Sequence, residues 1–334
     1  MPLNRISRLF LIGSATLLAG LVLGILFIVF NAYRAPHDFY QAAAEEPQLV
    51  IIIPNGAGLR GVAKILEDAD AITSSELFVW GTRLSGAGSK LRAGEYRLLG
   101  PASMAHIRDQ LLSGETLQHR LTIPEGLTSR QVMALLAADE ALAGEMAALP
   151  GEGTLLPETY YFSRGDDRSA LLTRMRRNQQ QLLDDLWLGR RPDFPFPGAE
   201  EAVILASIVE KETALAAERP MIARAFLNRL EGGMRLQSDP TVIYGQTAGE
   251  PLGRPLRQSD LDARNAYNTY VIRGLPPGPI ANPGVESLRA VFHPAEGNYL
   301  YFVADGKGGH AFAATLEEHN RNVARWRRIQ RERR

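Results

Sequence analysis

The sequence predicts an α+β protein that follows a single membrane-spanning helix. Residues 9–30 carry no charged side chain, and an apolar run of about 20 residues is long enough to cross a bilayer. Beyond this run, short stretches rich in β-branched residues alternate with segments in which apolar residues recur at helical spacing. The chain of 334 residues is long enough for an anchor and one or two domains with sizeable cores.

The flanks of the apolar run predict its orientation. Arg5 and Arg8 precede the run and Arg34 follows it. Positive charge on the N-terminal side favours a cytoplasmic N-terminus and an exported body, although Arg34 reduces this bias. A cleaved signal peptide is the alternative, but its apolar region is usually only about 7–15 residues long, and no small-x-small site follows cleanly here. We therefore expect a cytoplasmic segment over 1–8 and a retained single-pass anchor over 9–31.

The composition narrows the classes of function. Lys+Arg and Asp+Glu both number 37, so the formal net charge is zero and no nucleic-acid partner is indicated. Cysteine is absent, which excludes disulfides, thiolate zinc sites and thiol nucleophiles. The six histidines are scattered, and the chain has no HExxH, GxSxG, P-loop or GxGxxG pattern. The sequence therefore predicts neither a metal site nor a cofactor.

A small α+β module is predicted over residues 47–120, after a polar link over 37–46. Its elements are a strand, two helices, a strand and a helix, over Leu49–Ile53, 61–69, 75–84, Glu95–Leu99 and 103–114. Ser74 or Ser75 can cap the second of these helices. Ser103 caps the last helix, and Gly114 ends it.

A second section is predicted over residues 121–330. Its elements are a capping box at Thr128 and Gln131, a loop and strand over 153–162, a long helix over 170–187 ended by 192–198, two helices from Ala199 onward, and two strands around a turn at 305–309. Thr315 and Glu318 form another capping box, which opens a C-terminal helix. That helix ends in a basic tail, Arg325 to Arg334, which is most simply a solvated helix end.

The helix that begins at Ala199 carries the candidate catalytic group. Its apolar stripe consists of Ile204, Leu205, Ile208 and Val209. Glu212 lies three residues after Val209, so it should point inward, with Leu215 and Ala216 extending the same face. Glu210 should lie toward an edge of the stripe, and Lys211 should point outward.

An inward carboxyl group at position 212 has a specific chemical use. Apolar surroundings disfavour the charged form and raise the pKa of a carboxyl group. A carboxylic acid that stays protonated near neutral pH can donate its proton to a glycosidic oxygen. The structural alternative is a buried Glu212 that is paired with Arg219, Arg229 or Arg235.

Two later segments carry groups typical of sugar sites. Gln237, Ser238 and Asp239 lie on a predicted loop that Pro240 makes rigid. Tyr267, Asn268 and Tyr270 combine two aromatic faces with an amide group. Sugar rings stack on aromatic side chains, and sugar hydroxyls need neutral hydrogen-bond partners. Ordinary loop structure is the better explanation of each cluster by itself, but together with an inward glutamate and an exported body the clusters begin to favour a carbohydrate site.

Six segments together resemble the YceG-like family. They are ASIVEKET (206–213), NRL (228–230), MRLQSDPTVIYG (234–245), AYNTY (266–270), GLPPGPIANPG (274–284) and YLYFVADGKGGHAF (299–312). The segment GTLLPETYYF also resembles the family motif at its position, which more often has Asp where Glu158 stands, and Ser238 replaces the commoner Thr. The characterised members of this family are membrane-anchored endolytic murein transglycosylases.

The resemblance implies a LysM-like subdomain over 47–120 and a mixed α/β catalytic domain over 121–330, with Glu212 as the catalytic residue on a helix. The implied reaction cleaves between N-acetylmuramic acid and N-acetylglucosamine inside nascent strands, leaves 1,6-anhydro ends and terminates strand elongation. The implied location is the inner membrane with a periplasmic body, and peptidoglycan synthases are candidate partners beside the glycan itself. Candidate substrate-binding residues are Asn228, Gln237, Asp239, Tyr267, Asn268 and Tyr270.

Two other functions remain open at the level of sequence. A hydrolytic muramidase could use the same site, with Asp239 as nucleophile or as base for water, and it would leave reducing ends. A peptidoglycan-binding scaffold would hold glycan on the LysM-like module and keep Glu212 as a structural residue only.

Overall fold

The computed structural model describes residues 5–37 and 48–332, and it confirms the α+β class. Its helices are α1 (Arg5–Arg34), α2 (Leu59–Asp68), α3 (Ser75–Leu84), α4 (Met104–Ser113), α5 (Ser129–Ala138), α6 (Arg168–Leu188), α7 (Ala199–Glu212), α8 (Arg219–Glu231), α9 (Asp239–Thr247), α10 (Gln258–Asp262), α11 (Val285–Phe292) and α12 (Leu316–Glu332). Its strands are β1 (Pro36–His37), β2 (Gln48–Ile53), β3 (Gly94–Leu99), β4 (Ala102–Ser103), β5 (Gln118–Thr122), β6 (Thr159–Ser163), β7 (Tyr301–Ala304) and β8 (His310–Ala313). Of the predicted polar link over 37–46, all but His37 lies outside the described residues.

The strands pair two by two, and the chain divides into two compact units. The pairs are β1 with β4, β2 with β3, β5 with β6, and β7 with β8. Unit 1 comprises Met1–His119 and Ser163–Gly165, and unit 2 comprises Arg120–Phe162 and Asp166–Arg334. Within the part of the chain that the structure describes, one helix is long and apolar enough to cross a membrane, over Ala15–Arg34.

Unit 1 contains the predicted order of strand, two helices, strand and helix. β2 and β3 are antiparallel, with a register that runs from Gln48 opposite Leu99 to Ile53 opposite Gly94. The predicted caps are present, because Ser74 accepts a hydrogen bond at the start of α3 and Ser103 does so at the start of α4. The core is built from fully buried apolar side chains, among them Leu66, Phe78, Tyr96, Leu98, Ile107 and Leu111.

Unit 2 is organised around α7, which packs against α8 and α11. Seven residues of α7 are buried, namely Ala202, Val203, Leu205, Ala206, Ser207, Ile208 and Val209. A second apolar cluster in this unit joins α5 and α6 to the strand β6, and the capping box of Thr128 with Gln131 opens α5 as predicted. α7 therefore has a buried middle, and its charged side chains lie toward its two ends.

The structure corrects four local predictions. Asp239 and Pro240 are the first residues of α9 and do not lie on a loop, because proline fits the first turn of a helix. α7 ends at Glu212 with an extended Thr213, so Leu215 does not continue the inward face and is 43% exposed. α11 was not predicted at all. At the start of α12, Glu318 accepts a hydrogen bond from Ala314 N instead of the reciprocal bond of a capping box.

Asn282 is a buried polar side chain that connects three segments of unit 2. Its Oδ1 accepts a hydrogen bond from Leu155 N at 3.1 Å, and its Nδ2 donates to Leu127 O at 3.1 Å and to Ser129 Oγ at 3.2 Å. The residue is fully buried, so these three bonds are made away from solvent.

We predict that Asn282→Ala lowers the free energy of unfolding by about 2–3 kcal/mol, because the buried Leu155 N–H is left without an acceptor. Chemical denaturation of the detergent-solubilised chain measures this change. Asn298→Ala, which truncates an exposed asparagine, is the matched control and should have little effect. Equal stabilities of the two variants would contradict the prediction.

Candidate active site

Glu212 is the last residue of α7, and its carboxyl group meets the start of α9. The residue is half-buried, and its Oε1 accepts a hydrogen bond of 2.5 Å from Ser238 Oγ. Ser238 lies immediately before α9 and is itself buried. The structure thus joins two segments 26 residues apart in one hydrogen bond.

Burial raises the pKa of Glu212 to about 7. The hydrogen bond from Ser238 opposes this effect, because it favours the charged carboxylate. The negative charge of Asp239 raises the pKa further, whereas the positive charges of His310 and Arg229 lower it. Loss of hydration is the largest cause, so the site keeps much of this carboxyl group protonated near neutral pH.

A network of hydroxyl groups fixes Ser238. Its backbone N–H donates to Thr269 Oγ1 at 2.9 Å, and its carbonyl accepts from Thr241 Oγ1 at 2.6 Å. The two threonine hydroxyls are themselves 2.8 Å apart. Gln237, the preceding residue, has a φ of +51°, which non-glycine residues rarely adopt and which costs on the order of 1 kcal/mol. The strained turn directs Ser238 toward Glu212 and leaves the Gln237 side chain exposed.

Asp239 and Tyr270 form a second polar pair at this site. The Tyr270 hydroxyl donates to Asp239 Oδ1 at 2.7 Å. Burial and the Asp239 carboxylate both raise the pKa of Tyr270, which therefore stays a neutral donor. Asp239 is exposed and opens α9, and a helix N-terminus favours a negative charge.

Arg229 is buried beside the site but does not pair with Glu212. Its Nε donates to Leu300 O at 2.6 Å, and its Nη1 donates to Leu236 O at 2.5 Å. Burial lowers the pKa of Arg229. Among the described residues, no basic side chain lies within ion-pair distance of the Glu212 carboxylate, which argues against the arginine-paired alternative for this residue.

Glu210 is the glutamate of α7 that pairs with an arginine. Its side chain is only 5% exposed, and Oε1 lies 2.9 Å from Arg219 Nη2. Its Oε2 accepts a hydrogen bond of 2.9 Å from Gly284 N. Arg219 also reaches Glu125, at 2.9 Å. Helical periodicity predicted the face correctly for Glu212 but could not show that an ion pair would allow Glu210 to be buried.

The remaining predicted substrate-binding residues make contacts within the protein. Asn228 Nδ2 donates to Gly297 O at 3.1 Å and to Tyr299 O at 2.9 Å. Asn268 is buried, and its Nδ2 lies within 3.2 Å of three carbonyl oxygens at the end of α10 and just after it. Tyr267 packs against the ring of Tyr244, with centroids 4.8 Å apart. In this structure Asn228 and Asn268 therefore hold loops, while Asp239 and Tyr270 lie close enough to act on Glu212.

His310 and Glu218 belong to the surroundings of the site, and the sequence did not single them out. Glu218 accepts hydrogen bonds of 2.7 Å from both His310 Nδ1 and His310 N. Glu218 also accepts a 3.3 Å bond from Thr213, the residue after Glu212. The quoted segment that ends in GHAF contains His310, but nothing in its spacing links it to α7. No group of three His, Asp or Glu residues that could hold a metal ion occurs in the described part of the chain.

Comparisons with known proteins agree with the motifs. The model of the YceG-like family matches residues 51–325. An endolytic murein transglycosylase of Bacillus subtilis (strain 168) is 32% identical over 302 residues, which cover 81% of this chain and 82% of that protein. An endolytic murein transglycosylase of Streptococcus pneumoniae (strain D39) is 27% identical over 84% of this chain, but the match spans only 59% of that longer protein. The crystal structure of a YceG-like protein from Listeria monocytogenes is 29% identical, with a TM-score of 0.48, over 83% of this chain and 99% of that one.

We predict that Glu212→Gln stabilises the protein above pH 7. The folded-state pKa of Glu212, about 7, is raised above its unfolded value. The free energy of unfolding of the wild type therefore decreases as pH rises from about 4.5 to 7, and it stays at the lower value above that window. The neutral variant escapes this loss, which we expect to be about 2–3 kcal/mol after allowance for solvent screening. Denaturation curves at pH 8 and pH 4.5 measure the difference, which should vanish at the lower pH.

The matched control is Glu210→Gln, two residues away on the same helix. It removes the ion pair with Arg219 and should destabilise the chain at pH 8. Stabilisation by both variants, or by neither, would contradict the opposite environments assigned to the two glutamates.

Proposed function

The chain belongs to the YceG-like family, and on that premise we propose that it is an endolytic murein transglycosylase, a lyase that cleaves peptidoglycan glycan strands. The observation that carries the proposal is the Glu212 carboxyl group, whose pKa burial raises to about 7 at the junction of α7 and α9. Relatives from Bacillus and Streptococcus bear this name, although the streptococcal protein is considerably longer than the matched region.

Glu212 acts in this proposal first as an acid and then as a base. Its proton passes to the glycosidic oxygen of the leaving N-acetylglucosamine as the bond from C1 of N-acetylmuramic acid breaks. The muramoyl 6-hydroxyl then attacks C1, and its proton returns to the Glu212 carboxylate. The product end is a 1,6-anhydro sugar. An internal nucleophile replaces water through proximity, so one carboxyl group suffices where ordinary glycosidases need two.

The surroundings of Glu212 suit a group that must both give and accept a proton. Ser238 and Asp239 shift its pKa in opposite directions, and the net value near 7 lets both forms exist at neutral pH. Arg229 remains engaged with backbone carbonyls, so it adds positive potential without trapping the carboxylate in an ion pair. The arrangement therefore favours proton transfer over a static salt bridge.

We assign the other predicted site residues two kinds of role. Gln237, Asp239, Tyr267 and Tyr270 contact the glycan in this proposal. The exposed polar groups of Gln237 and Asp239 suit sugar hydroxyls, and the partly exposed rings of the two tyrosines suit sugar rings. Asn228 and Asn268 act as positioning residues, because their amides are engaged with backbone carbonyls of neighbouring loops. This reassigns two residues for which the sequence favoured direct contact.

The N-terminal parts fit a membrane-bound enzyme of the cell wall. The β2–α2–α3–β3 order with its antiparallel pair supports a LysM-like subdomain over 47–120, followed by the catalytic domain over 121–330. The helix over Ala15–Arg34 supports a single-pass anchor in the inner membrane, with its N-terminus in the cytoplasm and the body in the periplasm. An enzyme so placed would meet nascent strands, terminate their elongation and have peptidoglycan synthases as candidate partners.

We predict that Glu212→Gln lowers strand cleavage by about 10²–10⁴-fold while the variant still binds glycan, because the proton donor is lost and the shape is kept. Digestion of purified sacculi followed by mass spectrometry measures both rate and products. The matched control is Glu200→Gln, which changes an exposed glutamate in the first turn of the same helix and should cleave like wild type.

Wild-type products discriminate between the candidate functions. Anhydro ends support the transglycosylase, whereas reducing ends alone would establish a hydrolytic muramidase in which water is the nucleophile. Cleavage by Glu212→Gln at the wild-type rate would reject the catalytic assignment. Glycan binding without any cleavage by the wild-type chain would favour a scaffold.

We also predict that Ser238 and Asp239 set the alkaline limit of activity in opposite directions. Cleavage should decline as pH rises above about 7, because Glu212 loses its proton. Ser238→Ala removes a hydrogen-bond donor that lowers the pKa of Glu212, so the decline in activity should shift to higher pH by on the order of one unit. Asp239→Asn removes a negative charge that raises the pKa of Glu212, so the decline in activity should shift to lower pH. Ser238→Thr keeps the hydroxyl and should restore the wild-type profile; shifts of the same sign for Ser238→Ala and Asp239→Asn would contradict the assignment.

A further inference from the structure

The anchor helix is packed into unit 1 at its last turn. Every residue of α1 from Ala15 to Ala32 is exposed, whereas Tyr33 is only 5% exposed and belongs to the core of unit 1. Only Ala35 separates α1 from β1, which pairs with β4 of the same unit. Unit 1 therefore meets the anchor through packed side chains and a strand pair, without a free linker.

The contact of Tyr33 with α3 is close. A Cβ atom at Gly81 would lie 2.4 Å from the Tyr33 ring, so only glycine allows this approach. The Tyr33 hydroxyl lies 3.4 Å from Thr82 Oγ1, and Arg108 Nη1 donates to it at 3.4 Å. The middle of α3 is thus fixed against the end of the membrane-spanning helix.

Two large apolar side chains of α3 are exposed on either side of this contact. Trp80 is 63% exposed and Leu84 is 77% exposed. Residues four apart lie on the same face of a helix, so the two side chains form one apolar surface. The neighbouring residues Leu77 and Phe78 face the core, so the exposed pair contributes nothing to the packing of unit 1.

The contact with Tyr33 indicates the depth at which this surface lies relative to the membrane. Phe30, in the apolar part of α1, is 55% exposed and lies three residues before Tyr33, a rise of about 4.5 Å along the helix. Residues that touch Tyr33 therefore lie where the hydrocarbon of a bilayer gives way to the headgroups. Tryptophan prefers this zone because its ring is apolar and its N–H needs a polar partner.

We propose that the Trp80–Leu84 face of α3 inserts into the headgroup region of the membrane that α1 spans, so that unit 1 is seated directly on the lipid surface. The occupant of this face is lipid, because α3 packs against the last turn of the helix that spans the membrane, directly beside Trp80. The inference rests on the proposed membrane anchor but is independent of the proposed reaction. A face that binds a second copy of the chain is the competing possibility, and the experiment separates the two.

The absence of cysteine makes a single-site probe possible. Leu84→Cys carries an environment-sensitive fluorophore on the proposed surface. Leu188→Cys is the matched control, because Leu188 is an 82% exposed leucine at the end of α6 in unit 2. Each full-length variant is reconstituted at one chain per lipid nanodisc of phosphatidylcholine and phosphatidylglycerol. Quenching is measured with spin-labelled lipid, which acts from the bilayer, and with iodide, which acts from water.

We expect spin-labelled lipid to remove roughly half or more of the emission of the Leu84 probe and iodide to remove little, because headgroup-level residues contact lipid. The Leu188 probe should show the reverse. A Leu84 probe that iodide quenches and lipid does not would overturn the proposal. Protection from both quenchers that appears only at two chains per disc would show a contact between copies and would also overturn it.

The two proposals fail in distinguishable ways. A chain that does not co-elute with the discs would overturn the anchor and this inference together. A disc-bound chain that shows the lipid contact but does not cleave glycan would leave the inference intact and count against the proposed reaction alone.

Discussion

The rest of the site depends on one physical constraint, which is that the Glu212 carboxyl group at the end of α7 is largely removed from water. A carboxyl group in this position either finds a compensating cation or keeps its proton. α7 contains both outcomes within one turn, since Glu210 is neutralised by Arg219 and Glu212 accepts a hydrogen bond from the neutral hydroxyl of Ser238. Because the middle of α7 is buried on nearly every side, its last turn cannot move away from this environment.

The neighbouring segments maintain that balance by keeping their own charges engaged. Arg229 is close enough to lower the pKa of Glu212, but backbone carbonyls hold its guanidinium away from the carboxylate. Asp239 raises the same pKa and is itself held by Tyr270. Such opposing influences, each fixed by a separate hydrogen bond, give a carboxyl group whose affinity for its proton is set by geometry as well as by burial.

The features that were predictable from sequence are those with local causes. The caps at Ser74, Ser103 and Thr128 and the inward face of Glu212 follow from residues within one or two turns. The bond between Ser238 and Glu212, and the contact of His310 with Glu218, join residues that are distant in sequence and have no shared pattern. The sequence predicts a loop where α9 begins, because Pro240 usually interrupts regular structure, but proline in a first turn is compatible with a helix.

The burial of Tyr33 makes the end of the apolar helix α1 a structural part of unit 1. A soluble truncation that starts after Arg34 would lose an aromatic ring from the core and leave a furrow over Gly81 and Thr82. Proteolytic cleavage at that position would therefore release a destabilised body. Soluble versions of this protein for biochemical work should therefore begin upstream of Tyr33, or fill the vacated space with a bulkier residue at position 82.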